Sequence, residues 1–262
     1  MNEKTNYGNW VPEKALYMLF GLAAVFLVAA VICGVCVKVP VAAVICAVIC
    51  VLTLAMAVYM FVCHEKFAFG KGNMMAGVHK YLVDHLEWDG NGQMLDIGCG
   101  AAALTVRCAK AFPKAKIKAM DYWGVEWNYA KEQCERNAKL EGVSDRITFQ
   151  KGDAAKLDFV DETFDAAVSN FVFHEVRSAK DKRDVVREAL RVVKKGGAFS
   201  FQDMFSQKAL YGNMDEFVAE LKAEGISEIH YIGNLEKKLD FIPGYVSAPW
   251  MISGMGIIYG RK

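Results

Sequence analysis

The chain has 262 residues, with 31 basic and 30 acidic side chains and a net charge of +1, which offers no electrostatic footprint for bulk nucleic-acid binding. Its length suits one α/β domain with a modest additional element, and its eight scattered cysteines give no disulfide framework. Apolar residues make up 54% of the chain but crowd into its first quarter, so the composition describes two solvents rather than one.

Residues 15–37 and 41–63 contain no charged side chain. At about 1.5 Å of rise per residue, each run is long enough to cross the roughly 30 Å hydrocarbon core of a bilayer. The first is too long for a signal peptide, and a second follows at once. Val37 to Pro40 leaves room only for a tight turn, so the expected element is an antiparallel transmembrane hairpin. Lys4 and Lys14 precede it, Lys66, Lys71 and Lys80 follow it, and Lys38 alone marks the turn, which predicts that both ends are cytoplasmic. Gly21, Ala24, Ala43 and Ala47 are small enough to allow close helix approach. Cys33 and Cys36 have CxxC spacing, but inside a membrane helix they read as packing residues. Beyond the hairpin the chain holds 28 basic and 28 acidic residues once Lys4, Lys14, Lys38, Glu3 and Glu13 are set aside.

After a short linker, residues 73–88 have helical apolar spacing. Strands are then expected at 93–97, 117–120, 147–150, 164–169 and 198–202, with helices at 101–111, 127–140 and 180–194 between them. The last of these opens after Ser178 and stops at Gly196-Gly197. A helix at 214–223 and strands at 226–232 and 254–259 complete the chain. Alternation of this kind predicts a doubly wound, mostly parallel sheet.

The first strand runs into a helix through Leu95-Asp96-Ile97-Gly98-Cys99-Gly100, where glycines let the backbone approach a ligand. Asp121 ends the second strand, 23 residues beyond Gly98, where a carboxylate can accept hydrogen bonds from both hydroxyls of a ribose. Tyr122 and Trp123 follow it, and either could stack on an adenine ring. Gly152-Asp153-Ala154 places a carboxylate and a backbone N–H after the third strand. Asn170, Phe171, His174 and Glu175 follow the fourth, at the edge where open α/β sheets collect substrates.

These blocks, with Phe164 to Asn170 and Arg187 to Gly197, resemble the class I S-adenosylmethionine-dependent methyltransferases over residues 93–197. The resemblance implies a Rossmann-like sheet of seven strands whose last strand is antiparallel. It also implies that Asp96, Gly98 and Gly100 hold the methionine part of S-adenosylmethionine, Asp121 the ribose, and Asp153 and Ala154 the adenine; Cys99, Tyr122 and Asn170 complete the expected cofactor-binding set. Two departures stand out: the third glycine of the turn is Ala102, and the proline before the final glycine pair is Lys195. Methyl transfer from a sulfonium needs chiefly an in-line approach, and positioning supplies about 7 to 11 kcal/mol. Asn170, His174 and Glu175 are the candidate catalytic residues, His174 as a base for a hydroxyl or thiol.

The expected organisation is a cytoplasmic segment at 1–14, two spans within 15–63 and a methyltransferase domain at 64–262. The expected partners are the lipid bilayer and a small-molecule or lipid methyl acceptor, with no nucleic acid and no metal. A lipophilic acceptor would enter near residues 67–86, where Met74 and Met75 could line a portal. Two other readings compete: an NAD(P)-dependent oxidoreductase sharing the glycine turn, and a non-catalytic membrane protein that binds S-adenosylmethionine.

Overall fold

The computed structural model describes residues 4–70, 74–124 and 130–262. The chain divides into two compact units, Gly8–Met75 and Met1–Tyr7 with Ala76–Lys262.

The first unit holds two helices, each long and apolar enough to cross a membrane. Helix α1 (Glu13–Val31) passes through a π-turn at Ile32–Cys36, and α2 (Pro40–Phe67) begins with proline at a position where its missing N–H costs nothing. Lys38 takes a left-handed φ of 57° in the turn between them. Val25, Val28, Val35, Val44, Val51 and Leu52 are each more than half exposed. Leaving such side chains in water forgoes about 1.5 kcal/mol or more apiece, a cost that burial in hydrocarbon or against a partner removes. The small residues inside the hairpin match those expected only in part: Ala43 is among them and Gly21 is not. Gly21 has no atom within 4 Å of a built Cβ, whereas Gly34 faces Ala43 at 3.5 Å and Ala23 and Ala57 are buried. Side-chain volume alone does not specify which helix face meets the partner.

In the second unit, α3 (Met74–Asp84) precedes a seven-stranded sheet. Its strands are β1 (Gln93–Ile97), β2 (Lys116–Asp121), β3 (Ile147–Lys151), β4 (Phe164–Asn170), β5 (Val193–Asp203), β6 (Glu228–Gly233) and β7 (Gly256–Arg261), in the order β3-β2-β1-β4-β5-β7-β6. Every pairing is parallel except those of β7 with β5 and β6. Helices α4 (Ala103–Ala111), α5 (Lys131–Leu140), α6 (Lys182–Arg191), α7 (Lys208–Tyr211) and α8 (Met214–Ala223) complete the unit.

The sheet is covered on both faces, as a parallel sheet requires. Met94, Ala166, Val168 and Ala198 pack with Leu82, Leu104 and Cys134 of α3, α4 and α5. On the other face, Leu95, Ala167, Phe199 and Phe201 pack with Val186, Leu190 and Phe217 of α6 and α8.

Local differences from expectation have identifiable causes. Helix α6 opens at Asp181, whose carboxylate accepts from Arg183 N at 2.9 Å, and it ends at Arg191. Gly196-Gly197 therefore does not stop a helix. Gly196 takes a φ of 75° within β5, where the register with β4 shifts between Phe164 and Ala166. This is a glycine bulge in a strand, and a Cβ at Gly197 would stand 2.9 Å from the Asp165 carbonyl oxygen. Ala101 and Ala102 belong to the turn before α4 rather than to the helix. Residue 73 and residues 127–129, expected in the helices that became α3 and α5, lie outside the described residues.

Candidate functional site

The order β3-β2-β1-β4 brings the carboxyl ends of four strands side by side, which is where the predicted residues were spread along the sequence. The turn after β1 closes on β2: Gly98 N and Cys99 N both donate to Met120 O, at 2.8 and 3.0 Å. Gly98, Gly100 and Ala102 have φ values of 75°, 54° and 68°, so Ala102 adopts the left-handed backbone that its missing glycine would favour. A Cβ at Gly98 would stand 2.1 Å from Val172 Cγ2, and its absence lets the segment after β4 lie directly on the turn after β1.

Asp121 binds the same turn. Its Oδ2 accepts from Gly100 N at 2.9 Å and its Oδ1 from Trp123 N at 2.8 Å. Each oxygen keeps a further lone pair for a ligand hydroxyl. Tyr122 is 65% exposed, with Lys151 Nζ 5.5 Å from its ring centre, whereas Trp123 donates from Nε1 to Gly100 O at 3.3 Å. Cys99 places its backbone in the turn and its thiol in the core, where burial pushes the thiol pKa up.

Asp96 is 1% exposed. Its Oδ2 accepts from Thr105 Oγ1 at 2.5 Å, while its Oδ1 is buried without a hydrogen-bond partner among the described residues. Burial raises its pKa to about 7, the Thr105 hydrogen bond opposes that, and the charge of Asp121 adds to it. After β3, Asp153 Oδ1 accepts from Ala155 N and from Ser178 Oγ, both at 2.9 Å, and Ala154 is buried beside it. Ser178, expected to start a helix, instead fixes this carboxylate.

Asn170 ends β4, its Oδ1 buried with no partner among the described residues and its Nδ2 3.3 Å from His79 Nε2 of α3. His79 is neutral, because burial, helped by the Arg107 charge, lowers its pKa to about 3. Gln202 lies in register with Asn170 on β5, is 0% exposed, and has no partner at either amide atom among the described residues. Met74 and Met75, expected at a portal, are buried, at 0% and 2% exposed.

His174 is held between two carboxylates. Nδ1 lies 2.8 Å from Asp203 Oδ1 and Nε2 lies 3.4 Å from Glu175 Oε1. Burial alone would lower the ring's pKa, but the charge and hydrogen bond of Asp203, followed by those of Glu175, raise it to about 10. The ring is therefore a cation at neutral pH. Asp203 is buried, and its Oδ2 also accepts from Phe173 N at 2.8 Å, fixing the short helical turn that carries His174 and Glu175.

Three contributions escaped the sequence reading. Asp203 ends its strand as Asp121 does, and the same strand-end logic applied to β5 would have found it. His79 and Gln202 carry no motif, and only the packing of α3 on β4 and β5, with Ser200 Oγ donating to Leu82 O at 2.8 Å, brings them to Asn170. The third is Asn137 of α5, whose Nδ2 donates to Ala101 O at 2.9 Å and to Asn6 O at 2.7 Å. Tyr7 adds a hydrogen bond from its hydroxyl to Glu141 at 2.9 Å, so the residues ahead of the apolar pair dock on the catalytic unit.

An open depression of about 610 Å³, lined by Leu157, Phe159, Thr163 and Arg191, lies at the amino rim, opposite these groups. Arg191 there grips Glu188 through two nitrogens, at 2.8 and 2.9 Å, and also reaches Asp161. That part of the family resemblance reports loop tethering rather than chemistry.

The sheet order, the antiparallel β7 and the glycine turn joined to a strand-end carboxylate define a Rossmann-like methyltransferase fold. Residues 95–201 match the methyltransferase domain family, so the chain carries a methyltransferase domain over that stretch. A sterol 24-C-methyltransferase of Aspergillus fumigatus is 30% identical over 45% of this chain and 29% of its own length. A sterol 4-C-methyltransferase of Caenorhabditis elegans is 29% identical over 50% of this chain and 36% of its own length. The chain thus aligns with about a third of each of these relatives. Among solved structures, geranyl diphosphate C-methyltransferase from Streptomyces coelicolor superposes with a TM-score of 0.55 at 15% identity, covering 76% of this chain and 83% of that one. The [4+2]-cyclase SpnF superposes at 0.53 with 19% identity, covering 71% and 80%, so this fold alone does not fix an activity.

Proposed function

We propose that the chain is a membrane-anchored S-adenosylmethionine-dependent methyltransferase acting on a small lipophilic acceptor. The observation that carries the cofactor reading is Asp96, a buried carboxyl with an unpartnered oxygen one residue from the strand end that opens the glycine turn. A dinucleotide would bring a pyrophosphate dianion to this turn, against Asp96 and Asp121. S-adenosylmethionine brings an ammonium and a sulfonium, which a carboxylate attracts. In this reading Asp96 and the turn from Gly98 to Gly100 hold the methionine part, Asp121 the ribose, and Asp153 with the Ala154 backbone the adenine.

The bound cofactor supplies an electrophilic methyl group, and the protein supplies alignment. Asn170 meets the acceptor at the end of β4. His174 keeps its proton at neutral pH, so its role is to hold Glu175 in place rather than to act as the base. Glu175, with a side chain 42% exposed, is the group of this pair open to an acceptor.

Asp96 gives the reading a pH signature. In the cofactor-free protein the carboxyl is protonated below about pH 7, and a bound cation favours the ionised form. The dissociation constant is therefore expected to fall about tenfold per pH unit from pH 5 to 7 and to level off above. Asp96→Asn should flatten the profile when binding is followed by calorimetry. Titration with NAD in parallel tests the oxidoreductase alternative.

The anchor reading is supported by the two apolar helices and by chain connectivity. Asn6 and Tyr7 hydrogen-bond to Asn137 and Glu141 at the end of α5, while residue 76 onward builds the sheet, and this connectivity supports the reading in which both ends of the hairpin lie on one side of the bilayer. The lysine distribution makes that side cytoplasmic. The lipophilic acceptor is supported by the apolar pair and by the sterol methyltransferases among the relatives. The test is incubation of the full chain with radiolabelled S-adenosylmethionine and a membrane extract. Label is expected in the solvent-extractable lipid fraction. Cofactor binding without any transfer would favour a non-catalytic role instead.

A further inference from the structure

The connection from β6 to β7, residues 234–255, emerges at the carboxyl rim of the sheet, because β6 runs parallel to β5 and β7 returns antiparallel to both. It is a built element rather than a loose loop. Leu235 N donates to Met255 O at 2.8 Å, Gly254 N donates to the buried Glu236 carboxylate at 3.2 Å, and Ile252 N donates to Val246 O at 3.3 Å. Its inner residues Ile242, Val246 and Ile252 are 6%, 0% and 1% exposed, whereas Phe241, Tyr245 and Trp250 are 38%, 40% and 66% exposed. The element is therefore amphipathic, with an aliphatic side in the core and an aromatic side outward.

Three features point to one occupant. Aromatic rings with polar tips, Tyr and Trp above all, concentrate at the boundary between hydrocarbon and water. Lys237 and Lys238, both exposed, precede the aromatics and match anionic headgroups. Phe241 also lies on the first turns of α3, where a Cβ at Gly77 would stand 2.8 Å from its ring. The chain enters the catalytic unit at Ala76, in this turn, so the aromatic element and the entry point share the carboxyl rim.

We infer that Phe241, Tyr245 and Trp250 form a lipid-contacting surface that enters the headgroup region of the bilayer. The inference rests on the membrane-anchored reading and adds a second, peripheral contact at the crevice side of the sheet. An acceptor dissolved in the bilayer then reaches the ends of β4 and β5 without crossing bulk water, and the contact acts as a specificity device for membrane-resident substrates.

The test uses the full chain reconstituted into vesicles of phosphatidylcholine and phosphatidylglycerol, with and without bromine atoms on the acyl chains near the headgroup. The sequence has five tryptophans, so the emission of Trp250 is isolated as the difference between the wild type and Trp250→Phe. That difference is expected to fall at least about twofold in brominated vesicles and to resist aqueous acrylamide. Phe241→Ala with Tyr245→Ala should weaken the quenching by lipid. Acrylamide quenching with no response to bromine overturns the inference, and so does protection from both quenchers together with a cross-linked dimer, which assigns the surface to a second copy. The anchor reading is scored separately: it fails if the chain does not float with vesicles in a density gradient, whatever Trp250 reports.

Discussion

Asp121→Ala is expected to raise the dissociation constant for S-adenosylmethionine by at least about a hundredfold. Hydrogen bonds to a charged group contribute about 1.5 to 3 kcal/mol each, and a carboxylate facing a ribose makes two. The substitution also removes the acceptor for Gly100 N and Trp123 N, so two backbone donors lose their partner and the glycine turn loses its tie to β2. The sheet itself does not depend on this side chain, and circular dichroism should be unchanged. Calorimetric titration measures the effect, and an unaltered dissociation constant would remove Asp121 from the binding site.

Gly98→Ala is expected to damage the turn after β1 severely. The position combines a left-handed φ of 75° with Val172 atoms 2.1 and 2.5 Å from the added carbon. The backbone component costs about 1 to 2 kcal/mol. The steric component cannot be relieved without pushing the segment after β4 off the turn after β1, and overpacking of this kind costs about 1 to 3 kcal/mol more. The two sources are separable by a double-mutant cycle. Val172→Ala removes the two nearest atoms and leaves Cβ at 2.8 Å, so the double variant should recover part of the lost thermal stability and cofactor affinity while the backbone component remains.

Legibility in the sequence followed the range of the interaction involved. The spans of β1 and α8 were read to the residue and β4 within one, because short apolar runs with sharp turn signals at their ends are local information. The positions of Asp96, Gly98, Asp121, Asp153 and Asn170 at the carboxyl ends of their strands were read for the same reason: a strand-end carboxylate or a glycine turn announces itself within a few residues. Gly196-Gly197 misled because the pair that ends a helix also makes a strand bulge, and only the register with β4 separates the two. Asn137 looked like a helix-face polar residue, and its partners lie 131 positions away at Asn6 and 36 away at Ala101 of the glycine turn. The protonation of His174 was beyond reach without Asp203, which lies 29 residues downstream and alters the ring's chemistry only through the fold.

At the amino rim, Asp165 accepts from Gln93 N and from Lys194 Nζ, at 2.8 and 2.7 Å, and leaves no room for a side chain at Gly92. This polar fastening joins β1, β4 and β5 at the end of the sheet where no ligand is read to bind. Inherited variation should therefore sort by height along the strands. Changes at Asp165 or Lys194 would reduce how much of the protein persists in a cell while each surviving molecule turns over normally, whereas loss of a ligand-facing carboxylate at the opposite edge, such as Asp121, would leave abundance largely intact and silence the molecules that remain.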